Sequence, residues 1–337
     1  VRKLSRQENK AILFVSHFLD EIVALTDEVT VLRDGSVVMR AETKDLDESK
    51  LAEAIVGKEI VALERASKKD KNKSEPRETL LEIRDLSSPG RLEPISIDLK
   101  AGEVLGIAGL LGSGRSELLH CIFGADPTTQ GEVFVAGKRV KNSTTASVRA
   151  GLALVPEDRF GQGLVRDFEI WRNATLPALD RVSYNNFVLN RKREYKVGLD
   201  SIKQLSIKAN SPSVPVNELS GGNAQKVTIA KWLFSDALVF LLDEPTVGID
   251  IGAKTEILML VRKLAEAGKA VIVVSSEFEE LVAVSDRIIV MRDGRQIAER
   301  LIHDTDEHDL TLLAGGKNAM NTATKGHDTN KHQGKLS

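Results

Sequence analysis

Glu103-Val104-Leu105-Gly106-Ile107-Ala108, then Gly109-Leu110-Leu111-Gly112-Ser113-Gly114-Arg115-Ser116, then Glu117 to Phe123 is the stretch on which the fold turns. The first six residues read as a short apolar strand, and Ser116 to Phe123 read as a helix stopped by Gly124. Between them the glycines leave backbone N–H groups free to surround an anion, beside the positive end of a helix. The pattern G-x4-G-K-[ST] is met except that Arg115 stands where lysine is usual, and arginine keeps the charge on a larger, forked group. Ser116 takes the position whose hydroxyl binds Mg²⁺ in such loops. Taken alone, the stretch also fits a glycine-rich turn with no ligand.

Downstream, Leu238 to Leu242 is an apolar run of the kind buried in a parallel sheet, and it ends in Asp243-Glu244-Pro245. Acids at strand ends in such sheets face the ligand crevice at the carboxyl edge. Asp243 then holds Mg²⁺ through water and Glu244 polarises an attacking water. The alternative is a helix N-cap pair before Pro245. Gly248-Ile249-Asp250 follows as a turn carrying a carboxylate. Between cradle and acids lies Leu219-Ser220-Gly221-Gly222-Asn223, a second phosphate-facing Ser-Gly-Gly turn. Each piece is weak, but the ordered triple is specific.

The 337 residues suffice for about two domains. A 42% apolar content with only 4% aromatics predicts an aliphatic core. Lys and Arg number 47 against 49 Asp and Glu, so no global field favours nucleic acid. The single cysteine, Cys121, excludes an internal disulfide framework and reads as packing in the helix after the loop. No apolar run approaches the roughly 18 residues that span a bilayer, and no signal peptide is visible. The expectation is an intracellular protein with at most a peripheral membrane role.

Lys10-Ala11-Ile12-Leu13-Phe14-Val15-Ser16-His17 matches Lys269-Ala270-Val271-Ile272-Val273-Val274-Ser275-Ser276. The match continues through Glu21/Glu280, Val23/Val282, Ala24/Ala283 and Asp27/Asp286 to Arg33-Asp34-Gly35 and Arg292-Asp293-Gly294, without gaps at an offset of 259. Both copies read as apolar strand, polar turn, amphipathic helix, then a strand closed by an Asp-Gly turn. Because the second copy ends a unit beginning near Leu80, the offset places the first unit's start roughly 180 residues before Val1. The expectation is one complete unit at 79–314 and the tail of another at 1–62, without its own core. Segment 63–78 reads as a solvated charged linker and 315–337 as a disordered tail. His303, His308, His327 and His332 have no metal-ligand spacing.

Together these residues resemble the nucleotide-binding cassette of ATP-binding cassette (ABC) transporters, from Leu80 to about Leu313 plus the repeat in 1–62. Finer features resemble the tandem-cassette ATPases of bacterial monosaccharide importers. They are the Gly109–Arg115 loop, Val155-Pro156-Glu157-Asp158-Arg159 with Gly163-Leu164, Leu219 to Lys226, and Glu244 to Lys254. The resemblance implies an α/β P-loop NTPase fold with a mostly parallel sheet, an antiparallel β part and a helical signature-motif subdomain at about 160–235. It implies ATP and Mg²⁺ as ligands, and a second cassette in cis or trans packed head to tail. Each ATP then lies between one phosphate loop (Gly109, Gly112, Ser113, Gly114, Arg115, Ser116) and the other cassette's signature turn (Ser220, Gly221, Gly222, Asn223).

The resemblance further makes Glu157 a coupling-loop residue, the Asp250 turn an interface element, and Glu244 and His17 catalytic. His17 stands at the family's switch position, which the complete cassette fills with Ser276. With Arg115 and Ser276, that cassette's own loop is expected to bind ATP and hydrolyse it poorly. The competent site would pair His17 and its cassette with Ser220, Gly221 and Gly222. The implied function is energising monosaccharide import through separate integral-membrane permease subunits fed by an extracytoplasmic binding protein. The implied place is peripheral, on the cytoplasmic face of the bacterial inner membrane, with no nucleic-acid partner. Two alternatives stand beside it: a soluble ABC ATPase not involved in transport, and a truncated non-hydrolysing nucleotide-binding module.

Overall fold

The computed structural model describes residues 4–5, 10–16, 19–33, 36–46, 50–51, 54, 77–185 and 188–315. Helix α1 (Leu19–Leu25) and the hairpin β1 (Glu28–Arg33) and β2 (Ser36–Glu42) come first. Next are β3 (Thr79–Ser88), β4 (Leu92–Lys100), β5 (Val104–Ala108), α2 (Arg115–Ile122), β6 (Gln130–Val135) and β7 (Lys138–Val140). The chain continues through α3 (Thr144–Ala150), β8 (Leu152–Val155), α4 (Ile170–Thr175), β9 (Ser183–Tyr184), β10 (Val188–Leu189), α5 (Arg191–Gln204) and α6 (Gly221–Phe234). It closes with β11 (Val239–Asp243), α7 (Ile251–Glu266), β12 (Ala270–Val274), α8 (Phe278–Val284), β13 (Arg287–Arg292), β14 (Arg295–Leu301) and α9 (Glu307–Gly315).

The central sheet has the order β14-β13-β5-β12-β11-β8, parallel throughout except for the antiparallel edge strand β14. Every residue of β5, β11 and β12 is buried. Continuous aliphatic runs such as Ala270-Val271-Ile272-Val273-Val274 suit strands covered on both faces. A second, antiparallel sheet of order β4-β3-β6-β7 lies across α2, which packs on both β3 and β11. Helices α4, α5 and α6 form a region with its own apolar cluster, including Leu164, Ile170, Val216, Ala224 and Val227. The architecture is the expected α/β one, with a mostly parallel sheet, an antiparallel part and a helical region.

The acid strand begins at Val239 rather than Leu238 and includes Asp243. No helix starts at Pro245. Glu244 has φ +44°, the left-handed region, whereas an N-cap residue is extended, so the backbone turns until Asp250 caps α7.

The two repeat copies share element boundaries residue for residue: α1 with α8, β1 with β13, β2 with β14. Both hairpins even carry the same register shift, at Val31/Leu32 and at Val290/Met291. Their first segments differ. The counterpart of Lys10–Ser16 is the fully buried β12, but Lys10–Ser16 forms no strand, and Leu13 and Val15 are 92% and 88% exposed. The expected strand fails because a strand of this kind needs ladder partners on both edges; β12 has β5 and β11. The first copy is also not coreless: Val29, Val31 and Leu51 are buried against Ile22, Val23, Met39 and Leu46. His17, most of 63–78 and the tail from residue 316 lie outside the described residues. Among the described residues no helix is long and apolar enough to cross a membrane.

Candidate functional site

Strands β5, β12 and β11 are neighbours in the sheet, so their carboxyl ends deliver Gly109, Ser275-Ser276 and Asp243-Glu244 to one edge. The glycine-rich loop leaves β5 there and enters α2 through Gly114, the helix N-cap, at φ +96°. A side chain at 114 would be strained and would press to 3.0 Å from the Cα of Gly294. A Cβ on Gly109 would come within 2.6 Å of the Met291 carbonyl oxygen. The loop is thus laid directly against the β13–β14 turn, tied by Gly294 N donating to the Ser113 carbonyl at 3.0 Å. The Ser113 hydroxyl is buried and finds no partner among the described residues. Its donor and the free N–H groups of the first turn of α2 are what an anion would satisfy.

Two of the sequence-assigned residues meet at the head of α2. Ser116 Oγ donates to Asp243 Oδ1 at 3.1 Å. Burial pushes the Asp243 carboxyl up to about 6, against the downward pull of that hydrogen bond. A hydroxyl and a carboxylate side by side are hard oxygen donors, and they fit Mg²⁺, which takes few protein ligands and completes its shell with phosphate and water.

Arg115 lies elsewhere than an open phosphate-facing position. Its guanidinium is 7% exposed, with one nitrogen 3.1 Å from Glu244 Oε1 and another donating to the Ser275 carbonyl at 2.8 Å. The other Glu244 oxygen accepts from the Ser276 backbone N–H at 3.0 Å and from the Ser276 hydroxyl at 3.1 Å. Both carboxylate oxygens therefore have partners within the cassette. Behind it, Glu280 accepts from Thr246 Oγ1 at 2.6 Å and Ser275 Oγ at 2.9 Å, fixing the strand end that feeds Arg115.

The signature residues form a second group at the start of α6. Ser220 is the helix N-cap, and its hydroxyl accepts from Asn223 Nδ2 at 2.8 Å, while Asn223 Oδ1 accepts from Lys208 N at 2.7 Å. Gly222 is pressed on α7, where any Cβ would collide with the Cβ of Ala253. Asp250 Oδ1 accepts from Ala253 N at 3.0 Å, so this carboxylate caps α7. Glu157 is exposed in the loop after β8 and adds to the rise of the Asp243 carboxyl. The structure thus brings Gly109 to Ser116 together with Asp243, Glu244 and Ser276, and groups Ser220 to Asn223 with the Asp250 turn. Sequence reasoning missed the contacts of Arg159 and Lys231. Arg159 donates to the Gly221 carbonyl at 3.1 Å and to the Val247 carbonyl, and the buried Lys231 amine donates to the Gly163 carbonyl. Their targets are main-chain oxygens, which carry no residue-type signal.

Comparison with known proteins agrees with this fold. Residues 92–247 match the family model for ABC transporters. A ribose import ATP-binding protein of Rhodococcus jostii is 41% identical over 310 residues, 92% of this chain and 60% of that protein. An arabinose import ATP-binding protein of Azospirillum brasilense is 42% identical over 299 residues, 87% of this chain and 56% of that protein. The chain thus spans about three fifths of the length of these relatives. Among solved structures, a nucleotide-free ATP-binding cassette from an ABC transporter superposes with a TM-score of 0.60 at 20% identity, over 73% of this chain and 98% of that one. A dimeric, post-hydrolysis cassette bound to ADP and Pi gives a TM-score of 0.57 at 25% identity, over 66% of this chain and 99% of that one. Residues 92–247 thus match an ABC transporter cassette, and along nearly all of its length the chain is similar to ribose and arabinose import ATP-binding proteins.

Proposed function

We propose that this chain is an ATP-binding subunit that energises import of a pentose or related monosaccharide through separate membrane permease subunits, working peripherally on the cytoplasmic face. In this reading the backbone N–H groups of Gly109 to Ser116 and the Ser113 hydroxyl, rather than the Arg115 guanidinium, hold the ATP phosphates, Ser116 and Asp243 hold Mg²⁺, and Ser220 to Asn223 face the nucleotide of a second cassette. The match to the ABC transporter family model and the similarity to ribose and arabinose import proteins support the transport role. An extracytoplasmic binding protein supplies the cargo.

The observation that carries the site reading is the occupied Glu244 carboxylate. With both of its oxygens taken by Arg115 and Ser276, the phosphate loop of 79–314 acts as a retention site, where ATP drives closure through its differential affinity for the closed state. Hydrolysis belongs to the composite site that Ser220 to Asn223 help to build, with His17 at its switch position.

The test is equilibrium binding of a fluorescent ATP analogue with and without Mg²⁺, beside phosphate release with and without permease-containing membranes. The expected result is Mg²⁺-dependent binding without phosphate release by the chain alone, and binding weakened about tenfold or more by Ser116→Ala. Binding indifferent to both Mg²⁺ and Ser116→Ala would sink the assignment. Co-sedimentation with ribosomes or DNA instead of permease-bearing membranes would sink the transport role.

A further inference from the structure

Three segments of the cassette converge on one guanidinium. Arg159 opens a π-helical turn (Arg159–Gly163) directly after the Val155-Pro156-Glu157-Asp158 loop that leaves β8. One of its nitrogens donates to the Gly221 carbonyl, inside the signature turn, at 3.1 Å; another donates to the carbonyl of Val247, in the turn that leads from the acid strand to Asp250. Both receiving segments are shaped for it. A Cβ on Gly221 would stand 3.2 Å from one guanidinium nitrogen, and one on Gly248 would stand 3.3 Å from the other. The side chain is slotted between two glycines of two motifs.

The turn that carries Arg159 is itself stiff. The Asp158 carboxylate accepts from Gly161 N at 2.8 Å, and the Asp158 carbonyl accepts from Gln162 N at 2.9 Å. At its far end the Lys231 amine, from the third turn of α6, donates to the Gly163 carbonyl, while a Cβ on Gly163 would press to 3.2 Å on the Thr228 methyl. The loop bearing Glu157 is therefore fastened to α6 at both ends of the π turn.

We propose that Arg159 is a positioning residue: it locks the Ser220–Gly222 turn to the Val247–Asp250 turn, so that any displacement of the Glu157 loop moves both as one body. Resting on the nucleotide reading above, this makes Arg159 the link by which that loop sets the signature turn that faces the second cassette's nucleotide. The role demands a fork. Two carbonyls on separate segments accept from two nitrogens of one rigid plane, which a lysine's single ammonium on a flexible stem does not reproduce.

The test is amide hydrogen exchange on the full chain without nucleotide, comparing wild type with Arg159→Lys and Arg159→Ala. Faster exchange in both 221–228 and 244–254, by about tenfold in Arg159→Lys, with β5 and β12 unchanged, is the expected outcome. Because Arg159→Lys keeps charge and bulk, it reads the fork even if Arg159→Ala fails to fold. Wild-type exchange in Arg159→Lys, or loosening of only one segment, overturns the proposal. In permease-bearing membranes that also supply the second cassette of the composite site, Arg159→Lys is expected to lower turnover about tenfold while binding of the fluorescent ATP analogue stays within about twofold. Unchanged turnover, or loss of analogue binding in step with turnover, also overturns it. A wild-type chain that binds no nucleotide would sink the functional reading alone, since the exchange experiment needs none.

Discussion

Arg115 and Glu244 are each under a tenth exposed and satisfy one another, so neither can be judged alone. Arg115→Met leaves a buried carboxylate without its cation, and breaking such a pair costs about 3–5 kcal/mol. For a domain of this size that is a fall in Tm on the order of 10 °C. Adding Glu244→Gln is expected to recover most of the loss, because a neutral amide needs no counter-charge. Thermal unfolding of the two variants checks this, and a double variant no better than the single one would refute the pairing. The motif positions 115, 116, 243 and 244 were legible in the sequence because a glycine-rich loop and an aliphatic run mark them. That Arg115 turns onto Glu244 and the Ser275 carbonyl was not, since both partners reach it through the adjacency of β11 and β12.

Elements read unevenly. The strand–loop–helix at 104–122 and the acid strand were visible because aliphatic runs and glycines mark them locally. Helix α6 was visible only as a motif; its packing depends on α7. Gly222→Ala places a methyl on the Cβ of Ala253, and overpacking of this kind costs about 1–3 kcal/mol. Lower thermal stability and faster exchange at the start of α7 are expected, and a neutral substitution would show that α6 can slide.

Lys231, on the same helix, has its amine pulled down to about 8 by burial, from 10.5 when exposed. Between those values the unfolded chain binds the extra proton, so stability rises with pH, whereas below 8 the burial cost is fully present. Urea midpoints for wild type are therefore expected to gain a rising component from pH 8 to pH 10 that Lys231→Met lacks. Identical pH dependence in both proteins would remove the lysine from the account.

At the scale of the molecule, the two repeat copies act as an internal control. Near-identical patterns give the same helix and hairpin at 19–42 and 278–301, yet only the second copy lies against a large sheet. Amides of β1 and β2 are thus expected to exchange much faster than their counterparts in β13 and β14, which share the stability of the core. Equal protection would mean that the small cluster of Val29, Val31 and Leu51 suffices. What the sequence by itself determined is whatever local pattern dictates: the aliphatic strands, the glycine-rich loop, the order of the motifs, and the duplicated helix–hairpin. Only the tertiary structure decided that Ala270–Val274 is a strand while Lys10–Ser16 is not, that Arg115 closes on Glu244, and that Arg159 joins two turns. Each of these depends on groups far apart in the chain, strand edges and main-chain carbonyls above all, whose positions follow from packing and leave no mark in residue type.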